Sequence, residues 1–256
     1  MYKLLKEEAW LANKEIPQRN LAIYTWGNVS AFDKENGVFA IKPSGVPYDE
    51  LKIEDIVVLD LEGKILEGKL NPSSDTPTHL ELYKYFISCN ADVNGITHTH
   101  STYATSWAQT CRSIPVLGTT HADHGFEPIP CTPILTKEAV DTDYEKETGL
   151  LITRTLEDPS IACPLTIDTN IKEKGNSFSG SLSAEECQMI LVGGHGPFTW
   201  GKTASKSVYN AAVLEQVAKM AYITLRINPK TEVLKEYVID KHYLRKHGKN
   251  AYYGQK

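Results

Sequence analysis

Apolar residues recur at helical spacing over residues 3–16, where Leu4, Leu5, Ala9, Ala12 and Ile16 share a face and Pro17 ends the run. Leu21 to Ser30 is then rich in β-forming residues, and Val38 to Lys42 predicts a strand closed by Pro43-Ser-Gly45. Ile56 to Leu61 and Lys64 to Leu66 flank Glu62-Gly63, the pattern of a hairpin. Asn71-Pro-Ser-Ser-Asp-Thr-Pro77 is a dense turn. Pro77 suits a first helical position with Asp75 or Thr76 as N-cap, and the helix runs on through Leu80, Leu82, Tyr83 and Phe86.

The second half opens with Gly95-Ile-Thr-His-Thr-His100, which reads as a strand, followed by Ser101 as the cap of a helix to about Cys111. Gly118-Thr-Thr-His-Ala-Asp123 reads as a polar loop, and Thr136 to about Glu157 as a helix. Residues 172–184, rich in Gly, Ser and Lys, predict an exposed, mobile loop. Gln188 to Val192 is an apolar strand entering Gly193-Gly-His-Gly-Pro197. Thr203 to about Arg226 is a long helix with Val208, Ala211, Ala212, Val217 and Met220 on its apolar stripe, and Glu232 to His247 is the last helix. Strands and helices are mixed without regular alternation. The prediction is one α/β domain over residues 1–256, with a mainly antiparallel central sheet flanked by helices.

Composition narrows the function classes. A net charge of −5 over 256 residues, without a long basic run, argues against nucleic-acid binding. No apolar run is long enough to span a bilayer, and the first eight residues carry charges where a signal peptide needs an apolar core. The five cysteines form no CxxC pair, so a reduced, cytoplasmic protein with buried thiols is expected.

The candidate chemistry centres on His98 and His100. Side chains two apart on a strand share a face, which puts two imidazoles side by side, about 6–7 Å apart at Cα. His195, between glycines at the end of an apolar strand, is the third candidate ligand. Asp75 is either a carboxylate ligand or a plain helix cap; the residues alone favour the cap. His79, one turn along, reads as packed rather than ligating. Ser44-Gly45 and Ser73-Ser74 offer hydroxyls and backbone donors for an anion, the second pair at a helix N-terminus, and Lys42 can add a charge. There is no Walker loop, and no dinucleotide fingerprint.

Seven stretches carry a family resemblance: Thr25-Trp-Gly-Asn-Val-Ser30, Lys42-Pro-Ser-Gly-Val46, Pro72-Ser-Ser-Asp-Thr-Pro-Thr-His79, His98-Thr-His100, Gly118-Thr-Thr-His-Ala-Asp123, His195-Gly-Pro-Phe198 and Asp240-Lys-His-Tyr-Leu-Arg-Lys-His-Gly248. Together they resemble the L-ribulose-5-phosphate 4-epimerases of the class II aldolase/epimerase superfamily, from about Leu4 to Gln255. The resemblance implies Zn²⁺ held by Asp75, His98, His100 and His195; such donors do not exclude Mn²⁺ or Co²⁺ as substitutes. It implies substrate and phosphate contacts from Gly27, Asn28, Lys42, Ser44, Gly45, Ser73 and Ser74. Asp123 and Tyr253 match an acid/base pair that reaches the site from a neighbouring subunit of a homotetramer, with the tail 241–256 contributing. Thr119, Glu145, His242 and Arg245 match supporting residues. Gly193 departs from the family, which often has histidine there, and residues 163–186 are longer than the usual spacer.

The implied substrate is a phosphorylated ketopentose. Its C4 hydrogen is not adjacent to the carbonyl, so simple proton abstraction cannot invert C4. Without a nicotinamide, the route left is retro-aldol cleavage of C3–C4, rotation of the aldehyde and re-addition. Two rival readings are a superfamily aldolase, which by resemblance tends to carry glutamate at position 75, and a metal-binding protein without catalysis.

Overall fold

A computed structural model describes residues 2–165, 178 and 180–254. In chain order its elements are α1 (Lys3–Gln18), β1 (Asn28–Asp33), β2 (Val38–Ile41), β3 (Val57–Asp60), β4 (Ile65–Glu67), α2 (Thr76–Ser88), β5 (Gly95–His98), α3 (Thr102–Gln109) and α4 (Thr119–Ala122). They continue with α5 (Lys137–Glu157), β6 (Met189–Val192), β7 (Gly196–Gly201), α6 (Ala204–Ile227) and α7 (Glu236–His247). One sheet contains all seven strands in the order β4-β3-β2-β1-β5-β7-β6, and every neighbouring pair is antiparallel. The predicted α/β class and antiparallel sheet are what the chain forms.

Alternation along the strands sorts the core into two layers. Phe32, Phe39, Ile41, Val57, Leu59 and Ile96 face α2 and α5, packing on Leu82, Tyr83, Phe86, Ile152 and Leu156. The intervening Val29, Ala31, Val38, Ala40 and Val58 face α1 and α6, meeting Ala9, Ala12, Ile16, Val208 and Ala211. A period of two in the pleat thus sends each strand's side chains to opposite helical layers. Asn28 is in step with Ser30 and Phe32, and His98 with Ile96, so both face the α2/α5 layer. They also sit directly across from each other in the β1–β5 pairing.

Several boundaries differ from the sequence reading. Pro17 lies inside α1, in its last turn, instead of ending it. The β-rich run before Ser30 is strand only from Asn28 onward, because Tyr24 (φ 55°) and Gly27 (φ 78°) turn the chain. Gly118–Asp123 contains the single turn α4, and α5 kinks at Asp143. Strand β7 went unpredicted: its Gly-Pro start reads as a breaker, yet Gly196 begins the hairpin return from β6. Most of the predicted 172–184 loop lies outside the described residues; at its end Leu182 and Ala184 are buried in the core, so that end is packed. The thiols are not all buried either: Cys89 is exposed, and Cys111 and Cys163 are half-buried.

Gly27 sets how closely the loop before β1 approaches β5. A Cβ there would lie 2.6 Å from the His98 carbonyl oxygen, on a backbone with φ of 78°. Gly27→Ala is expected to cost about 2 kcal/mol or more, from the left-handed backbone plus a clash with main chain. Gly37→Ala, also at positive φ but with open space around its Cβ, should cost about 1 kcal/mol. Urea denaturation of the two variants checks this, and equal losses would remove the contact with His98 as the cause.

Candidate metal and anion site

His98 ends β5, and His100 lies two residues on, just before α3. The His98 Nε2 and His100 Nε2 atoms are 3.1 Å apart. His195 arrives from the β6–β7 turn, and one nitrogen from each of the three rings lies within 4.8 Å of the others. Among the described residues this is the one such group of three. His98 donates from Nδ1 to the Pro197 carbonyl at 2.9 Å, which leaves the Nε2 lone pair facing its neighbours. Its ring stacks on Phe198 with centroids 4.2 Å apart. Burial lowers the pKa of His98 to about 3 and pushes those of His100 and His195 down. All three are therefore neutral near pH 7, the state in which imidazole ligates a metal.

Asp75 occupies the N-cap position of α2, but its carboxylate makes no capping bond. Its Oδ2 instead accepts from Asn28 Nδ2 at 2.6 Å and lies 4.0 Å from His98 Nε2. The cap reading favoured by the residues alone is thus overturned. Burial would raise the carboxyl, yet His98, His79 and the Asn28 amide hold it below the usual range. Zinc–nitrogen bonds of about 2.05 Å in a tetrahedron separate ligand atoms by about 3.3 Å. The 3.1 Å between His98 Nε2 and His100 Nε2 is close to that distance, so the three imidazoles could hold a divalent ion, and Asp75 Oδ2 lies 4.0 Å from His98 Nε2. His79 is fully buried with Nδ1 2.7 Å from the Ser30 hydroxyl, packed as expected.

The anion side is built from two loops laid together. Ser44 N–H donates to the Asn71 carbonyl and Ser73 N–H to the Lys42 carbonyl, both at 3.0 Å. These two amides are therefore used to brace the loops, not held ready for a ligand as the sequence suggested. Ser44, Gly45 and Ser74 are exposed. Lys42 is 2% exposed, with its ammonium 3.3 Å from the Pro43 carbonyl and 5.0 Å from the Tyr48 ring centroid. Among the described residues no carboxylate pairs with it, and burial lowers its pKa to about 8. Asn28 joins the two sides. Its amide donates to Ser73 Oγ at 3.1 Å as well as to Asp75, and its own Oδ1 is buried without a donor.

Asp123 and Tyr253 form a separate cluster with α7. Arg245 donates to both Asp123 oxygens at 3.0 and 2.7 Å, and His242 Nδ1 lies 3.0 Å from Oδ1. Burial opposes ionisation of Asp123, but Arg245, His242 and Lys246 outweigh it and hold the carboxyl below its usual range. The Tyr253 ring lies 4.5 Å from the Lys246 ammonium and 5.1 Å from the Arg245 guanidinium, and it is 63% exposed. Thr119 begins α4 and accepts the Asp123 amide through its carbonyl. Glu145 contributes a backbone carbonyl to Thr78, tying α5 to α2.

Two participants were not anticipated. Tyr144, just after the α5 kink, places its hydroxyl 3.3 Å from His195 Nδ1; only its place beside Glu145 hinted at this. Glu215 of α6, not Ser101, caps α3, accepting from the Tyr103 and Ala104 amides at 2.9 Å. Gly193 has no room for a side chain: a Cβ would meet the Thr132 carbonyl at 2.5 Å.

No helix among the described residues is long and apolar enough to cross a membrane. The class II aldolase and adducin N-terminal domain profile matches residues 7–222. L-ribulose-5-phosphate 4-epimerase UlaF of Salmonella paratyphi B is 46% identical over 98% of this chain and 99% of its own length, and that of Salmonella typhi is equally similar. An L-fuculose 1-phosphate aldolase shares the fold with a TM-score of 0.69 at 22% identity, over 93% of both chains. That of Glaciozyma antarctica gives 0.71 at 15% identity, over 97% of this chain and 84% of its own. A profile covering most of the chain, together with near-full-length relatives, places this protein in the class II aldolase family.

Proposed function

We propose that this protein is an L-ribulose-5-phosphate 4-epimerase, interconverting L-ribulose 5-phosphate and D-xylulose 5-phosphate with bound zinc. The observation that carries the reading is one hydrogen-bonded chain. It runs from the Lys42 backbone carbonyl through Ser73 and Asn28 to Asp75, whose Oδ2 lies 4.0 Å from His98, and so ties the backbone beside a buried lysine with no carboxylate partner among the described residues to the three neutral imidazoles. A ligand with a phosphate at one end and chelating oxygens at the other satisfies both. The near-full-length similarity to epimerases supports the same assignment.

Asp75, His98, His100 and His195 would hold the ion, and Mn²⁺ or Co²⁺ suits the same donors. When bound, it supplies Lewis acidity to the charge that develops on C3 beside the carbonyl as C3–C4 breaks. The departing fragment is glycolaldehyde phosphate. Lys42 and the Ser44-Gly45 and Ser73-Ser74 loops retain its phosphate while the aldehyde turns to present its other face. Gly27 lets the loop before β1 approach closely, and Asn28 orients Asp75. The C4 oxygen must lose a proton on cleavage and regain one on re-addition, and it points oppositely in the two epimers. Asp123 and Tyr253 take these two roles, offered by a neighbouring subunit of a homotetramer. Their shared cluster with α7, and the exposure of Tyr253, suit presentation to another copy. In the lyase alternative the carboxylate at position 75 doubles as a base. The depressed pKa of Asp75 and its bond from Asn28 disfavour that role.

His195→Ala should lower zinc content and epimerase activity together, by tenfold or more. Full metal occupancy in that variant, measured by atomic emission, would remove His195 from the ligand set.

The buried Lys42 gives a pH signature. Its folded pKa lies below the unfolded one, so the folded protein bears the cost of the charge in full below about pH 8. Phosphate binding recovers that cost only while Lys42 stays protonated. Affinity for inorganic phosphate should therefore be flat from pH 7 to 8 and fall up to about tenfold per unit above it. Calorimetric titration checks this, and a Lys42→Met protein that kept the same decline would refute the assignment.

Asp123→Asn and Tyr253→Phe should each lose orders of magnitude in turnover while keeping zinc. Epimerisation accompanied by exchange of the C4 hydrogen with solvent, followed by NMR in D₂O, would exclude cleavage and re-addition.

A further inference from the structure

Behind the His195 turn, three of the five cysteines meet. The Cys131 and Cys111 thiols are neighbours of the Cys163 thiol. The Cys131 and Cys163 sulfurs also lie 3.5 and 3.2 Å from the same Thr132 carbonyl oxygen. The backbone holds this pair in register at two points. Cys163 N–H donates to the Cys131 carbonyl at 2.7 Å. The fully buried Ser113 hydroxyl accepts from the Cys131 amide at 2.9 Å and donates to the Cys163 carbonyl at 2.7 Å. With standard bond lengths, the direct bond confines the two Cα atoms to within about 6.6 Å, inside the range that a disulfide spans.

We propose that Cys131 and Cys163 are a peroxide-oxidisable dithiol that closes to a reversible disulfide. Cys163 is the attacking thiol. It is half-buried where Cys131 is fully buried, so a small hydroperoxide reaches it first. The neighbouring Cys131 and Cys111 thiols and the nearby Arg112 charge overcome partial burial and lower its pKa to about 7. The Cys163 thiolate attacks one peroxide oxygen, breaking the O–O bond to give a sulfenic acid and hydroxide, which takes the proton lost from Cys163. The Cys131 sulfur then displaces the sulfenic oxygen, and its proton leaves with that oxygen as a second water. Two thiols are oxidised and one peroxide is reduced to two waters. Cys111 lacks the two backbone braces, which assigns the resolving role to Cys131.

The test treats the full-length, metal-loaded protein with a small excess of hydrogen peroxide, alkylates it under denaturing conditions and maps the peptides without reduction. Titratable thiols should fall by two from five, a Cys131–Cys163 cross-linked peptide should appear, and dithiothreitol should restore all five. Cys163→Ser should form no intramolecular disulfide, and Cys131→Ser should leave a Cys163 sulfenic acid that dimedone traps. A Cys111–Cys163 bond, retention of all five thiols, or over-oxidised Cys163 beside a free Cys131 would each overturn the proposal. Because the wild-type map decides the pairing, failure of a variant to fold leaves the test intact.

Discussion

Burial of His98 beneath the Phe198 ring takes an imidazole out of water while its Nε2 lone pair still faces two other imidazoles. Charging any of these rings in that setting is penalised twice, by lost hydration and by the next ring. The cluster therefore stays neutral, with ring nitrogens of all three histidines converging. Much of the nearby architecture keeps it so. The Pro197 carbonyl fixes the His98 tautomer, the β6–β7 turn delivers His195, and Gly27 closes the β1 loop over the His98 backbone. The antiparallel order of β1, β5 and β7 places all three contributions on neighbouring strands.

The same accounting applies to Lys42 with the sign reversed. Holding its ammonium away from water without a carboxylate corresponds to a destabilisation on the order of 3 kcal/mol, from the depression of its pKa to about 8. A protein selected for stability alone would put a carboxylate or an apolar side chain there. The Asp75 carboxylate is bound by the Asn28 amide and lies towards His98.

Much of this was legible in the sequence, and the failures have identifiable causes. The HxH spacing and the glycine-flanked His195 announced themselves because few structural roles require those residues there. The lack of regular strand–helix alternation, with the hairpin at Glu62-Gly63, pointed to the antiparallel sheet. Asp75 was ambiguous because a helix cap and a ligand use the same residue type at the same position; only the Asn28 contact from another strand separates them. Ser101 has a capping residue's identity and location, but Glu215 arrives from α6 and takes the bond, a long-range competition that no local pattern encodes. Strand β7 was hidden by Gly196-Pro197, a pair that breaks most strands and here opens one in a tight hairpin. The role of Tyr144 depends on a kink at Asp143 inside an otherwise helical pattern. Which subunit Asp123 and Tyr253 serve rests on resemblance, since a single chain shows only that they cluster together.

The distribution of unsatisfied groups describes the ligand better than the shape of the cleft does. Among the described residues Lys42 has no carboxylate, the Asn28 Oδ1 has no donor, and three neutral imidazoles converge. The Ser30 hydroxyl, by contrast, lies 2.7 Å from both His79 Nδ1 and the Tyr83 hydroxyl, while His79 Nε2 is itself buried without a partner. The open set is linear, running from Lys42 by way of Ser73 and Asn28 to the histidines. A compact anion would satisfy only one end of it, and a metal alone only the other. A molecule that carries both a phosphate and vicinal oxygens, as the proposed pentulose 5-phosphate does, would meet both ends.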